Sequence, residues 1–195
     1  MSATPDLWSL VLAAGGSQRL GRPKQALSIG AQSLLLNAVQ RANVVTPQKV
    51  ICVLGAYQPP APMPCQTRIN SNWRLGMASS IATGLNAVPH HASVLITLCD
   101  QPDVSADHLA QLVDCHYQDV SFTVAAFYAG FAGVPAVFPA ALRPTLLKLR
   151  GDEGARKVLR NAELKLKTVD IPQAATDIDT PTDWTQWRSN VNASD

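Results

Sequence analysis

Two apolar patterns alternate along the chain. Trp8-Ser-Leu-Val-Leu-Ala-Ala14, Lys49 to Leu54 and Ser93 to Leu98 are nearly unbroken apolar runs, the pattern of strands covered on both faces. Shorter strand signals fall at Thr67 to Asn70, Phe122 to Phe127, Pro135 to Phe138 and Leu166 to Ile171. Between them, Leu34, Leu35, Ala38, Val39 and Ala42 recur at helical spacing behind the capping residue Ser33. Leu109, Leu112 and Val113 do the same behind Ser105, in a helix running to Tyr117. Further helices are expected over Gly76 to Val88, Pro139 to Leu149, Gly154 to Arg160 and Thr182 to Arg188, with Asn190 to Asp195 frayed. Pro59, Pro60, Pro62 and Pro64 keep the stretch from Ala56 to Gln66 irregular. Strands alternating with helices predict an α/β chain around a mostly parallel sheet.

Composition narrows the partners. The 195 residues suit one domain, 1–195, with a core of roughly 7–188. A net charge of +2, with no Lys/Arg run longer than two, argues against nucleic acid. The first apolar run is too short to span a bilayer, so no membrane and a cytoplasmic location are expected. Cys52, Cys65, Cys99 and Cys115 form no C-x-x-C pair and read as free thiols of a reducing compartment.

Ligands of such sheets bind beyond the carboxyl ends of the strands, and three segments there carry chemistry. In Gly15-Gly-Ser-Gln-Arg-Leu-Gly-Arg-Pro-Lys24, glycines let backbone N–H groups approach an anion while Arg19 and Lys24 bring cations. Arg22-Pro23 stands where a P-loop requires Lys-Ser/Thr, and no G-x-G-x-x-G is present. Asp100 closes a buried strand, where an oxygen ligand suits Mg²⁺, and Asp103 reads as a cap for the following helix. In Asp177-Ile-Asp-Thr-Pro-Thr-Asp183, alternation puts Asp177 and Asp179 on one face and Ile178 on the other. Thr180 and Asp183 read as caps, with Pro181 at the first helical position. Met77 is expected to pack beneath a helix, and His90, His91, His108 and His116 to lie on surfaces or helices without a catalytic role.

Six segments in this order resemble the molybdenum cofactor cytidylyltransferase group of MobA-like nucleotidyltransferases. They are Leu12 to Lys24, Asn72 to Leu85, Asp100-Gln-Pro102, Gly133-Val-Pro135, Gly151-Asp-Glu-Gly-Ala-Arg156 and Asp177-Ile-Asp-Thr-Pro181. The likeness spans roughly Ser9 to Trp184. It departs at Leu20, where the family pattern has Met, and in the uncharged stretch from Gln58 to Gln66.

The resemblance implies a three-layer, Rossmann-like nucleotidyltransferase fold that transfers a nucleoside monophosphate, CMP from CTP, to a molybdopterin-type acceptor. It implies a nucleotide site at Ala13, Ala14, Gly15, Gly16, Ser17, Arg19, Lys24 and Ser80. Lys24, Arg19 and Asp100 would act in catalysis, Asp100 and Asp179 would hold Mg²⁺, and Gly133 and Pro135 would lie on the acceptor side. A molybdoenzyme or its chaperone is the implied partner. A sugar-phosphate or other phosphorylated-alcohol acceptor stays open as an alternative, as does a non-catalytic escort of the cofactor.

Overall fold

The computed structural model, which describes residues 6–192, builds its sheet outward from β1 (Leu7–Ala13). A short hairpin of β2 (Ser28–Ile29) and β3 (Gln32–Ser33) follows, then α1 (Leu34–Val45), β4 (Val50–Leu54), β5 (Gln66–Ile69) and α2 (Met77–Leu85). The chain continues with β6 (Ser93–Leu98), α3 (Ala106–Gln118), β7 (Thr123–Tyr128) and β8 (Phe131–Phe138). It ends with α4 (Arg143–Leu147), α5 (Arg156–Leu159), β9 (Leu166–Asp170) and α6 (Pro181–Asn192).

The seven-stranded sheet has the order β5-β4-β1-β6-β8-β7-β9. Every pairing is parallel except the two made by β8. Leu10 and Val11 are adjacent in β1 and both fully buried, because successive side chains enter opposite cores. Leu10, Ile51, Val53 and Ile96 pack under α2, α4 and α5; Val11, Cys52 and Leu54 pack under α1. α3 covers Leu95 and Val137 on that second face. Both faces are therefore dry, which is why these strands read as continuous apolar runs.

The helix starts follow local chemistry. Ser33 Oγ accepts the Leu36 N–H at 3.2 Å. Ser105 Oγ accepts from the His108 backbone while the His108 ring accepts the Ser105 N–H, a reciprocal cap. Asp103 does not cap α3, as the sequence suggested; its carboxylate accepts the Trp187 indole N–H at 2.6 Å and ties α6 to the sheet edge. That anchor, with Ser189 bonded to the Thr185 carbonyl, carries α6 through Asn190–Asn192, which were expected to fray; residues 193–195 lie outside those described. The single helix expected over Pro139 to Leu149 is split, because Pro144 lacks the N–H that a continuous helix needs and restarts it as α4.

His116, expected at a helix or on the surface, is fully buried. Its Nδ1 donates to the Phe122 carbonyl at 3.0 Å, which leaves Nε2 to accept the Ser93 hydroxyl at 3.0 Å. All four cysteines are free. Among the described residues no helix is long and apolar enough to cross a membrane.

Candidate functional site

Gln25 shapes the loop that leaves β1. Its buried amide donates to the Ala13 and Gly15 carbonyls, both at 2.8 Å, and folds residues 14–24 over the carboxyl end of the strand. Ser17, at φ 50°, accepts the Lys24 backbone N–H on its hydroxyl at 3.0 Å and so closes the loop at its far end. Gly16 lets the loop pass close to Trp73, whose ring an added Cβ would meet at 2.9 Å and have to displace. At Gly55 a Cβ would stand 2.5 Å from the Ala14 carbonyl, so β4 must end in glycine to pass this close.

Arg19, Lys24, Asp100 and Asp179, singled out in the sequence, converge. Lys24 Nζ lies 2.6 Å from Asp100 Oδ2 and 2.7 Å from Asp179 Oδ1, and Arg19 lies 2.7 Å from Asp179 Oδ2. Two features hold this meeting in place. The Ile178 N–H donates to the Asp100 carbonyl at 3.0 Å. Leu20, Leu27, Leu34, Ile178 and Trp184 form one small apolar cluster that binds the loop, α1, the last motif and α6 together. Leu20, the departure from the family pattern, is thus a packing residue. Asp183 accepts the Asp179 and Thr180 N–H groups, and Thr180 Oγ1 accepts from Asp183, so both cap α6 as expected.

Electrostatics follow from this packing. Burial alone would lower the Lys24 ammonium, but the charge and hydrogen bonds of Asp100 and Asp179 outweigh it and hold the ammonium above its ordinary value. Asp177, next door, is exposed at the surface, yet protein packed around it still desolvates its carboxyl. That desolvation, followed by the charges of Asp100 and Asp179, pushes its carboxyl up to about 7. Ile178 is fully buried opposite, as alternation predicted.

The carboxylates fit a hard divalent cation. Asp100 Oδ1 is buried and without a hydrogen-bond partner, a position that the charged form of the group tolerates poorly unless a cation meets it. Its second oxygen and Asp179 Oδ1 already share one cationic atom. Among the described residues no cluster of three or more His, Cys, Asp or Glu side chains could hold a metal ion by itself.

Beside them opens a cavity of about 640 Å³, lined by Ala13, Ala14, Gly15, Gly16, Lys24, Ser80 and Asp100 of the predicted set. Ser17, Arg19 and Asp179 stand outside its lining, Ser17 serving the loop, Arg19 remaining largely in solvent and Asp179 reaching the cavity wall only through Lys24. Asn70, which the sequence reading missed, is buried and donates from Nδ2 to the Ser79 and Ser80 hydroxyls at 2.8 and 3.0 Å, orienting Ser80 at the cavity wall. Met77 is not packed beneath a helix; it is 39% exposed, lies against Gly154 and lines the same cavity. The reason is Gly76, whose φ of 97° presses the start of α2 onto Gly151, leaving Met77 at the rim. Asp152 joins the lining through that contact.

On the far side, Gly133 is tight against Tyr128, whose hydroxyl would meet an added Cβ at 2.3 Å and which donates to the Val134 carbonyl at 3.0 Å. Buried Pro135 adjoins it. Gln101, also missed, donates to the Val134 and Ala174 carbonyls and joins the Asp100 turn to both.

A mostly parallel sheet carrying a cationic glycine loop and two convergent acids at its carboxyl edge defines a Rossmann-like protein. Residues 9–169 match the MobA-like NTP transferase domain, and the chain belongs to that family. The chain is 30% identical to nicotine blue oxidoreductase of Paenarthrobacter nicotinovorans, over 90% of this chain and 93% of that protein. It is 31% identical to purine catabolism protein PucB of Bacillus subtilis, over 93% and 95% respectively. The fold superposes on Rv0371c of Mycobacterium tuberculosis with a TM-score of 0.77 at 24% identity, covering 95% of this chain and 99% of that one. Rv0371c has also been solved in complex with manganese.

Proposed function

We propose that this protein is a divalent-metal-dependent nucleotidyltransferase that moves CMP from CTP to a phosphorylated acceptor of the molybdopterin type and releases pyrophosphate. The observation that carries the reading is the Lys24 ammonium set between Asp100 and Asp179 at the wall of a nucleotide-sized cavity. Mg²⁺ is the metal expected, and the manganese complex of Rv0371c supports a divalent cation in this fold. The family model and the nucleotide-handling geometry support transfer; CTP and the molybdopterin-type acceptor rest on the resemblance of the six sequence segments.

In this reading the loop from Ala13 to Ser17 receives the triphosphate on its backbone N–H groups, and Lys24 and Arg19 neutralise it. Ser80, held by Asn70, faces the nucleoside. The acceptor phosphate approaches from the side of Gly133 and Pro135, where a phosphate oxygen bonds to the α-phosphorus as the bond to the β-phosphate oxygen breaks. That oxygen is already ionised at neutral pH, so no histidine need act as a base. Asp100 and Asp179 would hold the divalent cation, which would supply charge neutralisation for the transfer.

The deciding assay mixes protein, Mg²⁺ and molybdopterin cofactor with each nucleoside triphosphate in turn and measures pyrophosphate. CTP-dependent release, reduced about 10²–10³-fold in Lys24→Ala, is expected. Release with a sugar phosphate instead would move the acceptor to the alternative class. Tight cofactor binding without any pyrophosphate would identify an escort. Oxidation or reduction of the substrate without pyrophosphate would replace the transfer reading by the chemistry named in the Paenarthrobacter relative.

A further inference from the structure

The cation that stands between Asp100 and Asp179 belongs to the protein. Lys24 Nζ makes a charge-assisted bond to each carboxylate, at 2.6 and 2.7 Å, and its side chain is only 12% exposed. Arg19 takes the remaining oxygen of Asp179. Two cations and two carboxylates thus cancel, and a free divalent ion entering this site must break both bonds of a partly buried ammonium. It would find little in return, because among the described residues no group of three or more His, Cys, Asp or Glu side chains could hold it. Small hard cations such as Mg²⁺ keep several waters and take one or two carboxylates together with substrate phosphates.

Lys24 is built to leave. Its backbone N–H is fixed on Ser17 Oγ at 3.0 Å and Pro23 stiffens the approach, so the loop stays in place. Only the flexible four-carbon stem has to swing, and the cavity lined by Ala14, Gly15 and Gly16 opens beside it.

We propose that Lys24 is the placeholder cation of the metal site: its ammonium occupies the position between Asp100 and Asp179 in the nucleotide-free protein and crosses to the phosphates when a metal–triphosphate complex binds. Metal and nucleotide then bind as one unit, and free metal is held weakly. No bond is made or broken in this exchange; carboxylates trade an ammonium for a metal ion, and Lys24 trades carboxylates for phosphate oxygens. The buried Asp100 Oδ1 gains a partner only after the exchange. The inference rests on the metal role proposed above for the two carboxylates.

The test is binding of Mn²⁺ alone to nucleotide-free protein, read from the electron paramagnetic resonance signal of unbound Mn²⁺. Lys24→Met is expected to bind Mn²⁺ at least about tenfold more tightly than wild type, although it removes a group needed for turnover. Lys24→Arg, which keeps the charge, is expected to bind as weakly as wild type. Adding Asp100→Asn to Lys24→Met is expected to abolish the gain. Equal or weaker Mn²⁺ binding by Lys24→Met would overturn the placeholder while leaving the metal site standing. A gain that persists without the Asp100 carboxylate would overturn the metal site itself. Should Lys24→Met not fold, Lys24→Gln keeps hydrogen-bond donors to both acids without the charge and carries the same comparison.

Discussion

Ile178 donates its backbone N–H to the carbonyl of Asp100 at 3.0 Å, so two segments distant in sequence share one anchor point. The Ile178 side chain is fully buried against Leu20, Leu27, Leu34 and Trp184. Asp179 therefore takes its position from a backbone bond and an apolar plug, and its carboxylate does not have to find Lys24 unaided. Ile178→Ala removes the plug and is expected to cost about 2–5 kcal/mol of stability. Denaturant unfolding measures it, and pyrophosphate release by the folded fraction should also fall as Asp179 loosens. A variant as stable as wild type would mean the cluster does not hold the motif.

The acids and Arg19 should separate clearly in rate. Asp100 and Asp179 share a partly buried ammonium, with side-chain exposures of 17% and 34%, whereas the Arg19 side chain is 72% exposed. Asp100→Asn and Asp179→Asn are each expected to lower pyrophosphate release about 10²–10³-fold. Arg19→Ala, which removes a cation screened by solvent, should lower it less than either acid variant does. Arg19→Ala matching the acid variants would make Arg19 a principal charge donor to the reacting phosphates.

What could be read in the sequence depended on where the information lies. The central strands were legible because burial on both faces leaves unbroken apolar runs such as Trp8 to Ala14, whereas the exposed edge strand β5 gave only a short signal at Thr67 to Asn70. Lys24, Asp100 and Asp179 could be singled out in the sequence as charges beyond the strand ends, and the fold brings them together. Gln25 and Asn70 were not, because a lone amide carries no periodicity and its role lies in which carbonyls or hydroxyls it meets. Met77 was misplaced because its position depends on Gly76 meeting Gly151, a contact across 75 residues that no local pattern encodes. Asp103 looked like a cap beside Ser105, yet its partner is Trp187 on the last helix.

Gln25 is the strongest test of how the loop is held. The residue is 1% exposed, and its amide donates to two carbonyls, Ala13 at the end of β1 and Gly15 in the loop that follows. Gln25→Ala leaves both carbonyls without that donor and opens a small void, for an expected loss of about 1–3 kcal/mol. The KM for the nucleotide should rise at the same time, because Gly15 and Gly16 lose their fixed position. Unchanged nucleotide KM with lowered thermal stability would restrict Gln25 to a structural role.

His116 sets a pH dependence whose sign follows from its burial. Desolvation holds the ring below its ordinary value, outweighing the hydrogen bond to the Phe122 carbonyl and the charge of Asp119, which act the other way. The unfolded chain takes up the proton near pH 6.5, while the folded protein resists until lower pH. The His116 contribution is therefore complete above about pH 6.5 and is lost as the pH falls from there through the folded value. Asp177, pushed up to about 7, slopes in the opposite direction, because the folded state binds its proton more tightly than the unfolded chain. The measurement is accordingly a difference: unfolding free energies of wild type and His116→Gln between about pH 7.5 and 5. Wild type should lose more stability across that window than the variant, by at most about 1.4 kcal/mol per pH unit for one proton. Parallel curves would mean that the buried ring takes up its proton as readily in the folded protein as in the unfolded chain.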